Sequence, residues 1–315
     1  MIAARDLTKR FGGRTAIEAV SLDVAAGETV GFLGPNGAGK TTTLRILAGV
    51  FPPTTGSVRI GDADLARAPL PGRAQIGYLP ERPALYDEMT VVGLLRFVVG
   101  LRGVRGGGAY ERAVRVALER MRLGELAMRR IGTLSKGLRQ RVALAVAIVG
   151  DPPVLLLDEP TAGLDPTERS ETRALIQALA PGRAVLLSSH LLDDVSTLCD
   201  RVVVLHRGRV VASDRPANLA PRLAARCPVD VCARAPAGAL AAVLERVRGV
   251  RRVTLEDGTT AAARCRVFPE ADVDVRPLLA TAVLANGWDL LTLARAEPSL
   301  EEIFLDLLES GGRNA

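Results

Sequence analysis

The stretch GPNGAGKTT, Gly34-Pro35-Asn36-Gly37-Ala38-Gly39-Lys40-Thr41-Thr42, decides the fold of this chain. It fits the pattern G-x-x-x-x-G-K-[ST] and lies between a predicted strand, Thr29–Leu33, and a predicted helix that begins at Lys40. Its glycines let backbone N–H groups point at phosphate oxygens, and the positive end of the helix adds to this attraction. Lys40 can reach the β- and γ-phosphates, and the Thr41 hydroxyl can ligate Mg²⁺. A glycine-rich loop alone is usually a turn, but this combination predicts binding of a nucleoside triphosphate.

A second stretch supplies carboxylates. Val154-Leu155-Leu156-Leu157 is apolar throughout, which predicts a strand buried on both faces of a mainly parallel sheet. Asp158 and Glu159 follow it at the edge where ligands of such sheets bind. We expect Asp158 to hold Mg²⁺ through water and Glu159 to orient and deprotonate the attacking water. Solvated acids at a strand end are the alternative, and the neighbouring phosphate loop favours the catalytic interpretation.

The first 220 residues or so alternate short apolar strands with helical patterns. We predict a further strand at Val185–Ser189, a hairpin around Arg207-Gly208, a loose loop at Gly106-Gly107-Gly108, and helices at Ser135–Val149 and Pro166–Leu179. This order indicates an α/β domain with a mainly parallel central sheet, and residues from about 85 to 150 read as a helical subdomain.

From about residue 226 to residue 315 the pattern changes to β-α-β-β-α-β followed by a tail helix at Ser299–Leu308. Asp257-Gly258 reads as a hairpin turn between two strands. Trp288–Leu293 alternates as a final strand. This order predicts a small α+β domain of the ferredoxin-like type.

The composition is that of a soluble globular protein. The chain has 315 residues, of which 48% are hydrophobic and 24% are charged. Its four cysteines are too few and too scattered for a disulfide framework, so we expect reduced thiols and a cytoplasmic location.

Charged residues interrupt the first ten positions, which argues against a signal peptide, and we find no apolar run that reaches the length of a membrane span. The net charge of +6 comes almost entirely from arginine, without a basic cluster that has interleaved aromatics. No nucleic-acid partner is therefore expected, and any membrane role requires a separate subunit.

Four further motifs resemble those of ABC-type ATPases. Residues 133–141, TLSKGLRQR, look like the family signature and precede Asp158-Glu159. Ala162-Gly163-Leu164-Asp165 resembles the D-loop, and Ser188-Ser189-His190 resembles the switch histidine. Phe11 stands where the family stacks an aromatic ring on adenine. The resemblance covers residues 1–220 with the motifs in family order.

This resemblance implies a P-loop NTPase fold of the ABC-ATPase type and a homodimer whose subunits face each other head to tail with ATP between them. The Ser135 hydroxyl and the Gly137 N–H of one subunit would complete the γ-phosphate site of the other, and Asp165 of the D-loop would also bind the nucleotide. His190 would contact the γ-phosphate and the attacking water. Ser135 is also a good N-cap, so this residue alone does not establish the role.

Two positions depart from the family pattern. Glu81 replaces the usual glutamine and could ligate Mg²⁺ as a charged ligand, together with Thr41 and Asp158. Lys136 replaces the usual glycine of the signature. It either adds positive charge near the partner's nucleotide or is merely solvated.

The resemblance also implies that the ATPase drives a membrane subunit. The region Pro83–Leu101 corresponds to the groove that receives a membrane subunit, although its apolar stripe could equally be core packing. Residues 298–304, PSLEEIF, resemble the end of ATP-binding subunits of ABC-2-type exporters, with the gliding-motility and copper-maturation branch nearest. We expect a peripheral subunit on the cytoplasmic face of the cell membrane that powers a separately encoded permease. A soluble ABC ATPase that acts on nucleic acid or the ribosome is the alternative.

Overall fold

The computed structural model describes residues 1–104, 106–218, 228–259, 262–270 and 273–295. The contacts within the chain divide it into two units, Met1–Pro216 and Ala217–Ala315. Among the described residues, no helix combines the length and the apolar character that a bilayer span requires.

The first unit alternates strands and helices. Its strands are β1 Ile2–Phe11, β2 Arg14–Val24, β3 Thr29–Leu33, β4 Thr55–Ile60, β5 Ala63–Asp64, β6 Ile76–Leu79, β7 Val154–Asp158, β8 Ala184–Ser189, β9 Arg201–His206 and β10 Arg209–Asp214. Its helices are α1 Lys40–Leu47, α2 Pro69–Ala74, α3 Val91–Leu101, α4 Gly107–Arg120, α5 Lys136–Ile148, α6 Pro166–Leu179 and α7 Leu192–Leu198. Two 3₁₀ turns, Gly124–Leu126 and Ile131–Thr133, precede α5.

The central sheet has six strands in the order β10-β9-β3-β8-β7-β6. From β9 to β6 every neighbouring pair is parallel, and only β10 pairs antiparallel with β9. The carboxyl ends of β3, β8, β7 and β6 therefore lie along one edge. The predicted α/β class with a mainly parallel sheet is confirmed.

Strand β7 shows why this sheet is buried on both faces. All five of its residues are buried, and alternate side chains reach two different cores. Leu155 and Leu157 pack with residues of α3 and α5, whereas Val154 and Leu156 pack with α1 and an antiparallel sheet of order β2-β1-β4-β5. Each fully buried leucine contributes about 1.5–3 kcal/mol, so β7 is anchored firmly behind the acids that follow it.

The apolar stripe in α3 has two roles. Thr90 caps the helix by accepting from the Gly93 N–H at 3.1 Å. Leu94, Leu95 and Val99 are buried in the core, whereas Phe97 is 44% exposed. The helix thus divides between core packing and an exposed face.

The loose loop predicted at Gly106-Gly107-Gly108 is wrong, because α4 begins at Gly107. Gly106, at φ 92°, provides the left-handed entry to the helix. Val114 and Ala117 of α4 are buried, and their packing holds two glycines in the first turn despite their low helix propensity.

The second unit consists of β11 Val229–Arg234, α8 Ala237–Glu245, β12 Val250–Thr259, β13 Ala262–Pro269, α9 Arg276–Ala285 and β14 Asp289–Arg295. Its four strands form an antiparallel sheet of order β12-β13-β11-β14. This is the β-α-β-β-α-β arrangement of a ferredoxin-like domain.

The predicted hairpin is confirmed, because β12 pairs antiparallel with β13, but its turn does not lie at Asp257-Gly258. Strand β12 continues through these residues, and Thr259 pairs with Ala262 after an irregular register that follows Glu256. A glycine inside a strand often marks such an irregularity. The tail helix Ser299–Leu308 and the stretch 298–304 lie outside the described residues. Among the described cysteines, Cys199, Cys232 and Cys265 are free thiols.

Candidate functional site

A cleft of about 820 Å³ lies at the carboxyl edge of the central sheet. Of the residues predicted from the sequence, its lining includes Phe11, Pro35, Asn36, Gly37, Ala38, Gly39, Lys40, Thr41, Thr42, Glu81, Glu159 and His190. Strand order explains this convergence, because parallel strands end at the same edge and the loops that follow them meet there.

The loop between β3 and α1 requires its glycines for conformation and for space. Gly37 and Gly39 have φ values of 81° and 106°, which side chains rarely adopt. A Cβ at Gly34 would lie 2.5 Å from the Leu205 carbonyl oxygen, and one at Gly39 would lie 2.6 Å from Ile17 Cγ2. The loop is thus packed closely against β9 and β2, with its backbone turned toward the cleft.

Lys40 is 6% exposed, and backbone and side-chain oxygens hold its ammonium group. Its Nζ donates to the Gly34 carbonyl at 2.5 Å and to the Pro35 carbonyl at 3.3 Å. The carboxylate oxygen Oε1 of Glu159 lies 3.4 Å away. The lysine and the acid therefore neutralise each other across the cleft.

Asp158, at the end of β7, is fully buried and lies behind Thr41. Its Oδ1 accepts from the Thr41 hydroxyl at 3.1 Å and from the Ser188 hydroxyl at 2.7 Å. Burial raises the pKa of this carboxyl group, the two hydrogen bonds oppose the rise, and the charges of Glu159 and Glu81 add to it. Its second oxygen, Oδ2, is buried without a hydrogen-bond partner.

Glu159 is held in an unusual backbone conformation, with φ at 50°. Its N–H donates to the Ser188 hydroxyl at 2.9 Å, and its Oε2 lies 2.7 Å from His190 Nδ1. Such a conformation in a residue other than glycine costs of order 1–3 kcal/mol. Here it brings the carboxylate between the lysine and the histidine, where it can accept a proton from water.

Two residues behind the site, Ser188 and Asp194, were missed as positioning residues by sequence reasoning. Ser188 bridges Asp158 and Glu159. Asp194 is 1% exposed, accepts from Ser189 Oγ at 3.1 Å and from the Thr161 hydroxyl, and pairs with Arg173 at 2.5 Å. It thus ties the end of β8 to the turn after Glu159. The contacts of Ser188 with the two acids and of Asp194 with Thr161 link positions 29 to 33 residues apart, and no local pattern marks them.

The donor set suits Mg²⁺. The orphaned Oδ2 of Asp158 lies in the same carboxylate that Thr41 contacts, and Glu81 lines the cleft beside them. Within the described ranges no group of three or more His, Cys, Asp or Glu side chains forms a metal site. Mg²⁺ at nucleotide sites needs only one or two carboxylates, because phosphates and water supply the other ligands.

An exposed aromatic ring, Phe11, belongs to another part of the cleft lining, and a second ring and a cation pack against it. Phe11 is 50% exposed, and its ring meets Phe51 edge to face at 5.6 Å. The Lys9 ammonium lies 5.2 Å from the Phe11 ring centroid. Arg14, the cross-strand partner of Phe11, and Arg207 also line the cleft, and neither was predicted to do so.

Ser135, Gly137 and Asp165 are absent from this lining and lie at the starts of α5 and α6. Ser135 caps α5 by accepting from Leu138 N–H at 3.3 Å, and Asp165 caps α6 by accepting from Glu168 N–H at 2.8 Å. The charge that Lys136 was expected to add near a partner's nucleotide stays a prediction, but the residue makes a contact that was not predicted. Its exposed side chain donates to the Gly163 carbonyl at 2.6 Å within the same subunit.

Comparisons with known proteins agree with this geometry. The profile of the ABC transporter family matches residues 17–162. The chain is 32% identical over 311 residues to the linearmycin resistance ATP-binding protein LnrL of Bacillus subtilis (strain 168), and the match covers 98% of each chain.

Solved structures agree as well. An ATP-binding subunit of an ABC transporter is similar with a TM-score of 0.63 and 33% identity, and the match covers 70% of this chain and 91% of that one. A dimeric ATP-binding cassette in a post-hydrolysis state with ADP and phosphate gives a TM-score of 0.62 and 26% identity, and the match covers 69% of this chain and 99% of that one.

Proposed function

This chain belongs to the ABC transporter family as an ATP-hydrolysing subunit, and from that membership we propose that two copies close around ATP to power a separate ABC-2-type permease. The ATPase activity is coupled to transport. The subunit would lie on the cytoplasmic face of the cell membrane. The alternative, a soluble ATPase acting on nucleic acid or the ribosome, finds no support in the relatives described above.

One observation carries the proposal of an ATP-bridged dimer. A single subunit places the phosphate loop, Glu159 and His190 around one cleft, whereas Ser135 and Gly137 lie outside its lining. Those two groups are a hydroxyl and an N–H at a helix start, which suit a phosphate. A second subunit facing the first would bring them to the open side of the cleft, so each copy would complete the other's site.

The contacts of Lys40 and Glu159 suggest how the site is prepared. Before ATP arrives, each of these groups neutralises the other, at 3.4 Å. The phosphates of ATP would then compete for the Lys40 ammonium, and Glu159 would be released to accept a proton from water. His190, already 2.7 Å from Glu159, would orient that carboxylate and the water.

Thr41, Asp158 and Glu81 would hold Mg²⁺ when it is bound with the nucleotide. The ion would neutralise charge on the phosphates. The protein's own contribution is to keep one oxygen of a buried carboxylate available, because Ser188 and Thr41 occupy only Oδ1 of Asp158.

The exposed face of α3 is the surface that we propose for the permease. Tyr86 and Phe97 are 53% and 44% exposed, and their rings meet at right angles at 6.0 Å. Leu101, which like Phe97 belongs to α3, is 70% exposed, and Tyr86 lies in the segment before the helix. Clusters of exposed apolar side chains mark interaction sites, and a helix of a membrane subunit would bury these rings.

Export is the direction that we propose. The relative that matches this chain over nearly its full length is named for resistance to linearmycin, which fits removal of a compound from the cell. The transported compound of this protein would bind to the permease.

Glu159→Gln tests the proposed dimer and the proposed base. The variant should bind Mg·ATP, hydrolyse it at least about 100-fold more slowly because the amide cannot accept the proton, and accumulate as a dimer. Phosphate release and light scattering after gel filtration measure these effects. Glu125→Gln, an exposed acid outside the cleft lining, serves as the control. Full turnover would refute the base, and a monomer with bound ATP would refute the sandwich.

A further inference from the structure

Four contacts connect the first turns of α5 with residues 160–171 of the same subunit, a stretch that includes the D-loop and the start of α6. They are Lys136 Nζ to Gly163 O at 2.6 Å, Gly137 N to Glu168 Oε1 at 3.2 Å, Gln140 Nε2 to Pro160 O at 2.7 Å, and the ion pair between Arg141 and Glu171. We name this set the α5–α6 seam. The seam joins the start of α5 to residues 160–171. If either segment moved toward a second subunit, their relative position would change.

Glu168 has an unexpected partner within the seam. It is the third residue after the N-cap Asp165, and a glutamate in that position commonly bonds back to the N–H of its own cap. Here its carboxylate reaches across to the Gly137 N–H of α5. The α5 helix spans 13 residues, and its N-terminus carries partial positive charge, so a carboxylate is attracted there.

Gly137 lies directly against this carboxylate. Gly137 is buried, and a Cβ added there would overlap the Glu168 side chain. The seam thus keeps an anion against an amide that the proposed function assigns to the γ-phosphate of ATP on the facing subunit. A carboxylate and a phosphate oxygen need the same donor, and one N–H cannot bond strongly to both.

We propose that Glu168 is a positioning residue that occupies the Gly137 amide in the ATP-free subunit and is displaced by the γ-phosphate when two subunits close. This inference rests on the proposed ATP-bridged dimer. Lys136, through its bond to Gly163, keeps the D-loop against α5 and thus keeps Glu168 within reach. Closure then carries a cost that only a triphosphate offsets, which disfavours an empty dimer.

Glu168→Ala tests this inference in the Glu159→Gln background, where hydrolysis does not obscure assembly. Without the competing carboxylate, the ATP-driven dimer should form at roughly tenfold lower protein concentration, since two amides are freed per dimer. Glu168→Gln keeps an acceptor but no charge, so its dimerisation constant should lie between those of the Glu159→Gln parent and of Glu168→Ala. Sedimentation velocity with Mg·ATP measures the dimerisation constant, and a fluorescent ATP analogue measures nucleotide affinity of the monomer, which should not change.

Glu171→Ala is the matched control, because it removes an equal charge and an α5 contact from the same helix but leaves the Gly137 amide occupied. The inference is overturned if both substitutions act equally, if Glu168→Ala leaves the dimerisation constant unchanged, or if it weakens the dimer. If the Glu159→Gln parent binds ATP but never dimerises, that result would instead refute the proposed function, and this inference with it.

Discussion

At the scale of single residues, the site is a set of charges held close together in a poorly solvated place. Asp158, Glu159 and Lys40 are all buried, and the described contacts leave one carboxylate oxygen of Asp158 without a partner. Burying a carboxylate without full hydrogen bonding costs stability. We infer that the protein accepts this cost because the same oxygen is available to a cation.

Lys40→Ala should lower ATP affinity by at least about 100-fold, because a charge-assisted contact to phosphate disappears and Glu159 loses its cation. Titration calorimetry measures the affinity. Lys136→Ala removes a lysine outside the cleft lining and should leave the affinity of the monomer near that of the parent. Intact ATP binding in Lys40→Ala would count against the phosphate cradle.

Asp158→Asn should stabilise the nucleotide-free protein and abolish Mg·ATP-dependent stabilisation. Removing a desolvated charge near two other acids should be worth about 1 kcal/mol, or roughly 2–4 °C in melting temperature. Thermal denaturation with and without Mg·ATP measures both effects. A less stable variant would contradict the first expectation.

The gain from Asp158→Asn should depend on pH. Folding raises the pKa of this carboxyl group above its ordinary value of 3.8, so the charged form disfavours the folded state. The penalty is therefore complete above the raised pKa and absent below the ordinary one. The stability difference between variant and parent should shrink as the pH is lowered, and a difference independent of pH would contradict the assignment.

At the scale of elements, the starts of α5 and α6 combine structural and proposed functional roles. Ser135 and Asp165 cap their helices, and both occur in motifs that resemble the signature and the D-loop of ABC-type ATPases. A serine can cap a helix with its oxygen and donate its O–H to a phosphate at the same helix end. Geometry in one subunit therefore cannot separate the two roles, but substitutions can.

Substituting Ser135 by alanine and by aspartate separates capping from phosphate binding. Ser135→Ala should cost about 1 kcal/mol of stability through loss of the cap, whereas Ser135→Asp should keep the cap. Aspartate would repel the γ-phosphate, so the ATP-driven dimer should fail in a variant of nearly normal stability. Denaturant titration and sedimentation measure the two properties. An aspartate variant that still dimerises with ATP would argue against phosphate contact at Ser135.

At the scale of the molecule, the two units have separate cores. The second unit has a core of its own, whose buried residues lie between Val229 and Val283. The two cores on the faces of the central sheet belong to the first unit. The first unit contains the whole cleft. We propose that the second unit is regulatory or supports the dimer.

A chain ending at Pro216 should fold and bind ATP, because its cores and cleft are retained. In the Glu159→Gln background it should dimerise more weakly than the full chain if the second unit supports assembly. Sedimentation at matched ATP concentrations compares the two, with the melting temperature as a check on folding. Unchanged dimerisation together with unchanged coupled activity would remove that role from the second unit.

The sequence by itself determined the α/β class and brought the phosphate loop, Asp158, Glu159 and His190 to one edge. These features have local signals: a glycine loop, apolar strands buried on both faces, and acids at a strand end. Parallel pairing then places the loops together without further information. The same local reading failed at Gly107, which lies in helix α4, and at Gly258, through which strand β12 continues.

Only the tertiary structure decided which side chains meet. Ser188 bridges two acids from the neighbouring strand, Asp194 ties two loops together, and Glu168 reaches the amide of another helix. Serine, aspartate and glutamate occur throughout the chain, and their types predict no partner. The contacts Ser188–Asp158, Gly137–Glu168 and Thr161–Asp194 join residues 30 to 33 positions apart and depend on strand order and helix placement. That long-range geometry, set by the burial of two cores around one sheet, is what local sequence patterns do not contain.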